Sequence, residues 1–139
     1  LTPFSMTYGI TASCFDLFHA GHVIMLQEAR NQCDHLTVAL QTDPTIDRPT
    51  KNKPIQSIFE RWVQVEACRY VDRIIPYATE EDLLNILKSY PWHVRIIGEE
   101  YRDVPFTGKD LDIHIYYNSR RHSFSSTDLR SRIRETVLK

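Results

Sequence analysis

Short β-rich runs alternate with longer stretches of helical periodicity along nearly the whole chain, and this alternation constrains the fold more than any single motif. Residues 7–13 read as a first strand, and 23–32 as a helix with Val23, Leu26 and Ala29 at helical spacing. Residues 35–41, in which Leu36, Val38 and Leu40 alternate, read as a second strand. The segment 42–56 holds Pro44, Pro49 and Pro54 among several charges and reads as a loop. A helix over 57–70 follows, opened by a capping box of Ser57 and Glu60. A third strand lies within 71–76, and a helix over 80–89 uses Leu83, Leu84 and Leu87 as its core face. Residues 94–97 form a fourth strand ending at Gly98, 112–117 a fifth, and 126–138 a closing helix.

Strands and helices in this order imply βαβ crossovers, hence parallel strands with helices on both faces. With right-handed crossovers the expected fold is a single Rossmann-like, doubly wound α/β/α sandwich on a five-stranded parallel sheet. Such folds bind ligands outside the carboxyl ends of their strands, where strand order reverses. That rule nominates the segments after the first, fourth and fifth strands.

Bulk properties narrow the function classes. A chain of 139 residues makes one domain, with no repeat or low-complexity linker to divide it. The formal net charge of −1 excludes a global field for nucleic acid or an anionic membrane, so any phosphate must be met by a local cluster of Lys, Arg and His. No apolar run spans a bilayer, and Cys14, Cys33 and Cys68 form no metal-like pair. A cytoplasmic protein with free thiols is expected. Leu1 to Ser5 precede Met6 and are expected to be disordered or an expression remnant.

The segment Cys14-Phe15-Asp16-Leu17-Phe18-His19-Ala20-Gly21-His22 joins the first strand to the first helix. A helix start binds anions through unpaired N–H groups and the dipole. His19 and His22, three apart, face the same way and can both donate to phosphate oxygens, while Gly21 lets a phosphate approach the backbone. Asp16 suits a divalent cation carried by a triphosphate. The same residues also suit a plain helix start with two hydrogen-bonded histidines. A zinc helix would place its ligands four apart.

In the loop, Lys51 and Lys53 read either as solvated basic residues or as a cationic flap over a polyphosphate, with Arg61 on the next helix. Gly98-Glu99-Glu100-Tyr101 ends the fourth strand, where carboxylates can accept from a base amino group or ribose hydroxyls. Ser125 and Asp128 form a capping box, and the helix start at Ser125-Ser126-Thr127 is again an anion site.

Phe15-Asp16-x-x-His19-x-Gly21-His22 resembles the signature of the HxGH nucleotidyltransferases. Over residues 10–133 the chain resembles the glycerol-3-phosphate cytidylyltransferase type, with four motifs in the family's order. The resemblance implies transfer of CMP from CTP, with Mg²⁺ as cofactor, to a phosphorylated small alcohol such as glycerol 3-phosphate, with release of pyrophosphate. His19, His22, Lys53 and Arg120 take the catalytic positions. Cys14, Phe15, Gly21, Arg61, Gly98, Glu100, Ser125, Ser126 and Thr127 take the nucleotide, and Asp16 and Lys51 the second substrate. Asp16 would also act through Mg²⁺, and Arg69-Tyr70-Val71-Asp72 matches a segment that implies a homodimer. Two departures stand out. Gly98-Glu99-Glu100-Tyr101 replaces Gly-Asp-Asp-Trp, and Arg120-Arg121-His122-Ser123-Phe124-Ser125-Ser126-Thr127 replaces Arg-Thr-x-Gly-Ile-Ser-Thr-Thr. They leave open an adenylyltransferase for a heptose-type sugar phosphate, or a nucleotide-binding module without turnover.

Overall fold

In the computed structural model, residues 5–119 and 124–138 are described. The elements are β1 (Tyr8–Ser13), α1 (Ala20–Arg30), β2 (His35–Gln41), α2 (Ile58–Glu66), β3 (Arg73–Tyr77), α3 (Glu80–Ser89), β4 (Val94–Gly98), β5 (His114–Asn118) and α4 (Ser126–Leu138), with 3-10 turns at Pro44–Ile46 and Glu99–Tyr101. The sheet order is β3-β2-β1-β4-β5 and every pairing is parallel. This is the doubly wound arrangement, reversing between β1 and β4.

Apolar residues on both sides of β2 make it a central strand. On one face Leu36, Val38 and Leu40 pack with Leu26 and Ala29 of α1 and Val65 of α2. On the other, Ala39 and Ile10 meet Leu83 and Leu87 of α3, with Trp92 closing the cluster. The Trp92 indole N–H is satisfied by the Ile86 carbonyl at 3.0 Å.

The switch point opens because two neighbouring strands part early. β1 pairs with β2 along six residues, but with β4 only at Gly9–Val94 and Ile10–Arg95. Beyond that the carboxyl ends of β1 and β4 are no longer laddered, and a crevice forms between them. Glu28 of α1 fastens the far side. It accepts from the Tyr116 hydroxyl at 2.9 Å and from the Ser119 amide and hydroxyl at 3.0 and 2.9 Å. Gly108 (φ 80°) lets the chain between β4 and β5 turn tightly against Leu87 and Arg95, where a Cβ would collide with the Leu87 side chain.

The bounds of α3 and α4 coincide with the periodic segments 80–89 and 126–138. Elsewhere the ends move. α1 starts at Ala20 rather than at residue 23, because His19 serves as its N-cap. α2 stops at Glu66 rather than at 70, and Cys68 to Tyr70 form a turn into β3. β5 starts at His114 rather than 112. The 3-10 turn at Pro44–Ile46 lies in what reads as loop, capped by the Asp43 carboxylate accepting from Thr45 N–H at 2.9 Å.

Candidate active site

The turn between β1 and α1 is strained and tightly fastened. Phe15 and Leu17 both adopt left-handed backbone (φ 51° and 52°), which costs about 1–3 kcal/mol per residue of this kind. Five contacts hold it. The Asp16 carboxylate accepts from the Ile55 and Gln56 amides, both at 2.9 Å, and pairs with Arg130 at 3.3 Å. The Leu17 amide donates to Gln56 Oε1 at 2.8 Å. The Arg61 guanidinium donates to the Cys14 carbonyl at 3.0 Å. With Phe15 buried in the core beneath, the turn has one geometry and delivers His19 to the helix start.

His19 and His22 then form a capping box from two imidazoles. His19 Nδ1 accepts from the Gly21 amide at 3.0 Å, and His22 Nδ1 accepts from the His19 amide at 3.1 Å. Ring centroids lie 3.9 Å apart, and Phe18 stacks on His22 at 5.5 Å. A nitrogen that accepts carries no proton, so the network assigns the neutral ring's proton to Nε2 in both residues. Both histidines line the main cavity. The cap therefore fixes the orientation of both imidazoles and takes up the Gly21 amide.

That cavity, about 790 Å³, follows the carboxyl edge of the sheet and has the size of a nucleotide-type site. Of the residues expected to bind, Cys14, Gly21, Lys51, Gly98, Glu100, Ser125 and Ser126 line it together with the two histidines. Ser125 also caps α4, its hydroxyl accepting from the Asp128 amide at 3.0 Å. Burial pushes the Cys14 thiol up, so it remains protonated and is not a nucleophile.

Other expectations are corrected. Arg61 is 1% exposed and donates to the carbonyls of Gln56, Cys14, Gln41 and Thr42 at 2.6–3.1 Å, so it binds protein backbone, not phosphate. Asp16 faces amides and Arg130 instead of the cavity, and does not fit as a metal holder. Among the described residues no group of three or more His, Cys, Asp or Glu is placed to hold a metal ion. Phe15 belongs to the core, and Lys53 and Thr127 do not line the cavity. The loop presents Lys51 and Asn52 in the place expected for Lys53. Arg120 lies outside the described residues. Asp72 of the Arg69–Asp72 segment is held within its own chain, accepting from Arg30 Nε at 2.9 Å and Leu36 N–H at 2.8 Å.

Several lining residues carry no motif: Gln41, Arg48, Tyr77, Glu80, Arg95 and Thr107. One signal was available. Arg95 interrupts the apolar run of β4, and a charge in a buried parallel strand requires a partner or a task.

The sheet order and the crevice at its switch point define a doubly wound nucleotide-binding type of fold. The profile of the cytidylyltransferase-like family matches residues 10–132, and the chain belongs to that family. It is 36% identical over 109 residues to the bifunctional protein HldE of Granulibacter bethesdensis, covering 76% of this chain and 22% of that protein. It is 35% identical over 123 residues to a probable ethanolamine-phosphate cytidylyltransferase of Encephalitozoon cuniculi, covering 86% and 37%. The chain thus spans a minor part of each of these relatives. Among solved structures, the lipopolysaccharide core biosynthesis protein of Thermoplasma volcanium shares the fold at a TM-score of 0.61 and 21% identity, over 95% of this chain and 89% of that one.

Proposed function

We propose that the chain is a nucleotidyltransferase that moves CMP from CTP to the phosphate of a small phosphorylated alcohol, such as glycerol 3-phosphate. An acceptor phosphate oxygen attacks the α-phosphorus in line, the bond to the β-phosphate oxygen breaks, and pyrophosphate leaves. The nucleophile is already anionic, so alignment and charge neutralisation suffice. The observation that carries the reading is the imidazole capping box. It fixes the rings of two cavity-lining histidines through their Nδ1 atoms, and we assign their Nε2–H groups to the charge that builds on the α-phosphate oxygens.

Lys51, which lines the cavity, takes the acceptor phosphate, and Lys53 and Arg120 keep the catalytic positions on the triphosphate and leaving pyrophosphate that the family resemblance gives them. Gly98, Glu100, Ser125 and Ser126 take the nucleoside side. A Cβ at Gly98 would run into the Glu100 carboxylate, so the glycine lets Glu100 fold back over the end of β4. Mg²⁺ enters as the counter-ion of the triphosphate, not as an ion resident on Asp16. The family profile favours CTP. Tyr101, where the cytidylyl pattern has Trp, supports ATP and a sugar phosphate as the second reading.

A homodimer fits the Arg69–Asp72 side, where α2 leaves Phe59 and Val63 exposed. The three free cysteines suit the reducing cytoplasm. Among the described residues no helix is long and apolar enough to cross a membrane. The test is pyrophosphate release with Mg²⁺ and each triphosphate against a panel of phosphorylated alcohols and sugars. Release with CTP and one acceptor is expected. Release with ATP alone would establish the second reading, and no release with any pair would reduce the domain to a binding module.

A further inference from the structure

The cavity also holds polar residues that the transfer chemistry above does not use. Gln41 and Arg95, 2% and 5% exposed, line it from β2 and β4. Arg48 comes from the loop after β2, Tyr77 from the end of β3, Glu80 from the first turn of α3, and Thr107 from the loop before β5. Their mutual bonds are few. Arg48 donates to Gln41 Oε1 at 3.4 Å, the Thr107 hydroxyl to Glu80 Oε1 at 3.2 Å, and Arg95 to the Thr107 carbonyl. The Arg95 guanidinium also lies over the Phe106 ring at 5.1 Å.

Two of these side chains keep a buried atom unpaired, and a third presents a hydroxyl. Glu80 Oε2 and Arg48 Nε are both buried without a hydrogen-bond partner. The Tyr77 hydroxyl has no hydrogen-bond partner among the described residues, and burial pushes it well above the ordinary phenol range, so it stays a donor. A buried orphan costs about 1–3 kcal/mol, so a ligand toward which the Glu80 and Arg48 side chains can turn and pair is favoured, with the Tyr77 hydroxyl lining the same cavity. The pocket thus presents an acceptor atom beside two donors, with two guanidinium groups against one carboxylate.

We infer that this pocket seats the carbon skeleton of the acceptor and selects one bearing adjacent hydroxyls, as in a polyol or sugar phosphate, over one bearing an ammonium group. This rests on the transferase reading above and names the substrate class of the same site. An ammonium only donates, so it could pair Glu80 and the Tyr77 oxygen but would leave Arg48 Nε–H without an acceptor, and two guanidinium groups would repel it. A second phosphate or a carboxylate only accepts, so it would leave Glu80 unpaired and be repelled by it. A hydroxyl does both. Two adjacent hydroxyls can give a proton to Glu80 Oε2 while receiving from Arg48 and Tyr77.

The experiment measures pyrophosphate release at saturating CTP, and separately at saturating ATP, with glycerol 3-phosphate, a hexose 1-phosphate, phosphoethanolamine and phosphocholine. The same acceptors are titrated into the protein by calorimetry. The best hydroxylated acceptor should exceed both ammonium acceptors in kcat/KM by about 10²-fold or more, since sites built to pair hydroxyls reject analogues lacking them. Glu80→Gln should raise the KM for that acceptor by about ten-fold, one lost charged hydrogen bond, while the KM for the triphosphate stays within about two-fold. Arg48→Met should act in the same direction. Equal or better use of an ammonium acceptor would overturn the inference and leave the transferase reading intact, as would Glu80→Gln without effect on acceptor KM. If no pair releases pyrophosphate, the transferase reading fails. Calorimetry then decides the pocket, which is overturned if Glu80→Gln binds glycerol 3-phosphate and the hexose phosphate as wild type does.

Discussion

The two ends of the cavity are built in opposite ways. In the turn from Phe15 to His22, two strained residues are held by the Asp16 carboxylate, Gln56 and Arg61, and the two imidazoles cap the helix that carries them. In the pocket around Glu80, the side chains come from separate segments and leave Glu80 Oε2 and Arg48 Nε unpaired. The first region is complete before any ligand arrives, and the second is completed by one. Preorganised donors suit the place where transition-state charge develops, because they need no rearrangement during the reaction. Unpaired groups suit selection, because their penalty is relieved only by a ligand of matching donors and acceptors.

The comparison breaks most completely at Arg61. Its guanidinium serves four backbone carbonyls from three segments, so Arg61→Ala should cost about 3–4 kcal/mol of stability, measured by urea unfolding. Arg61→Lys should recover little of it, because one ammonium cannot span the four acceptors that the fork reaches. Wild-type stability in Arg61→Ala, with a raised KM for the triphosphate, would return Arg61 to the phosphates.

Next in size is His22. His22→Ala removes both the cap acceptor and the Nε2 donor, and turnover should fall by about 10² or more. His22→Asn can still offer an oxygen to the His19 amide, so it should keep most of the stability and lose the same turnover. Normal turnover in either variant would sink the proposed mechanism.

Asp16 comes third. Asp16→Asn keeps one acceptor for the Ile55 and Gln56 amides but loses the charge facing Arg130, a cost of about 2 kcal/mol in thermal unfolding. Relaxation of Phe15 and Leu17 should return part of that, because their left-handed backbone is strained. Turnover should fall with it, since the turn aims His19. A variant that instead lost activity only at low Mg²⁺, with full stability, would restore the metal role to Asp16.

These contrasts also explain what the sequence discloses. α3 and α4 were legible because leucine spacing or a hydroxyl-led start marks them. The true start of α1 was not, since histidine is outside the usual N-cap set and the cap depends on ring orientation. Cys14, the histidines and the α4 start fall on the carboxyl edge, where strand order alone puts them. Arg61 and Asp16 misled because a charged residue beside a motif looks the same whether it faces a ligand or a backbone carbonyl. The Glu80 pocket was invisible for another reason. Its residues lie between 41 and 107, carry no spacing rule, and are assembled only by the sheet order. Glu80 by itself reads as an ordinary first-turn acid.

The smallest expected effect is acid sensitivity at the helix caps, and it separates the two regions. Amide donation from Ser57 holds the Glu60 carboxyl below its ordinary value, and amides of Thr79 and Ala78 do the same for Asp82. In the unfolded chain such carboxyls titrate near pH 4. On acidification the unfolded state therefore takes up protons first. The stability these caps contribute is full above about pH 4.5, and it is lost as the pH falls through their lower folded values. Glu60 is exposed and Asp82 half-buried, so the effect is modest and shrinks with salt. Glu60→Gln or Asp82→Asn should flatten the fall of melting temperature between about pH 5 and 3. An unchanged acid slope in the double variant would remove the caps from the account. The caps sit beside different ends of the cavity, Ser57 next to Gln56 and Arg61, Thr79 next to Glu80. Loosening the α2 start should therefore register in kcat through the turn, and loosening the α3 start in the acceptor KM. Equal changes in both constants from either variant would mean that the two ends are not independently built.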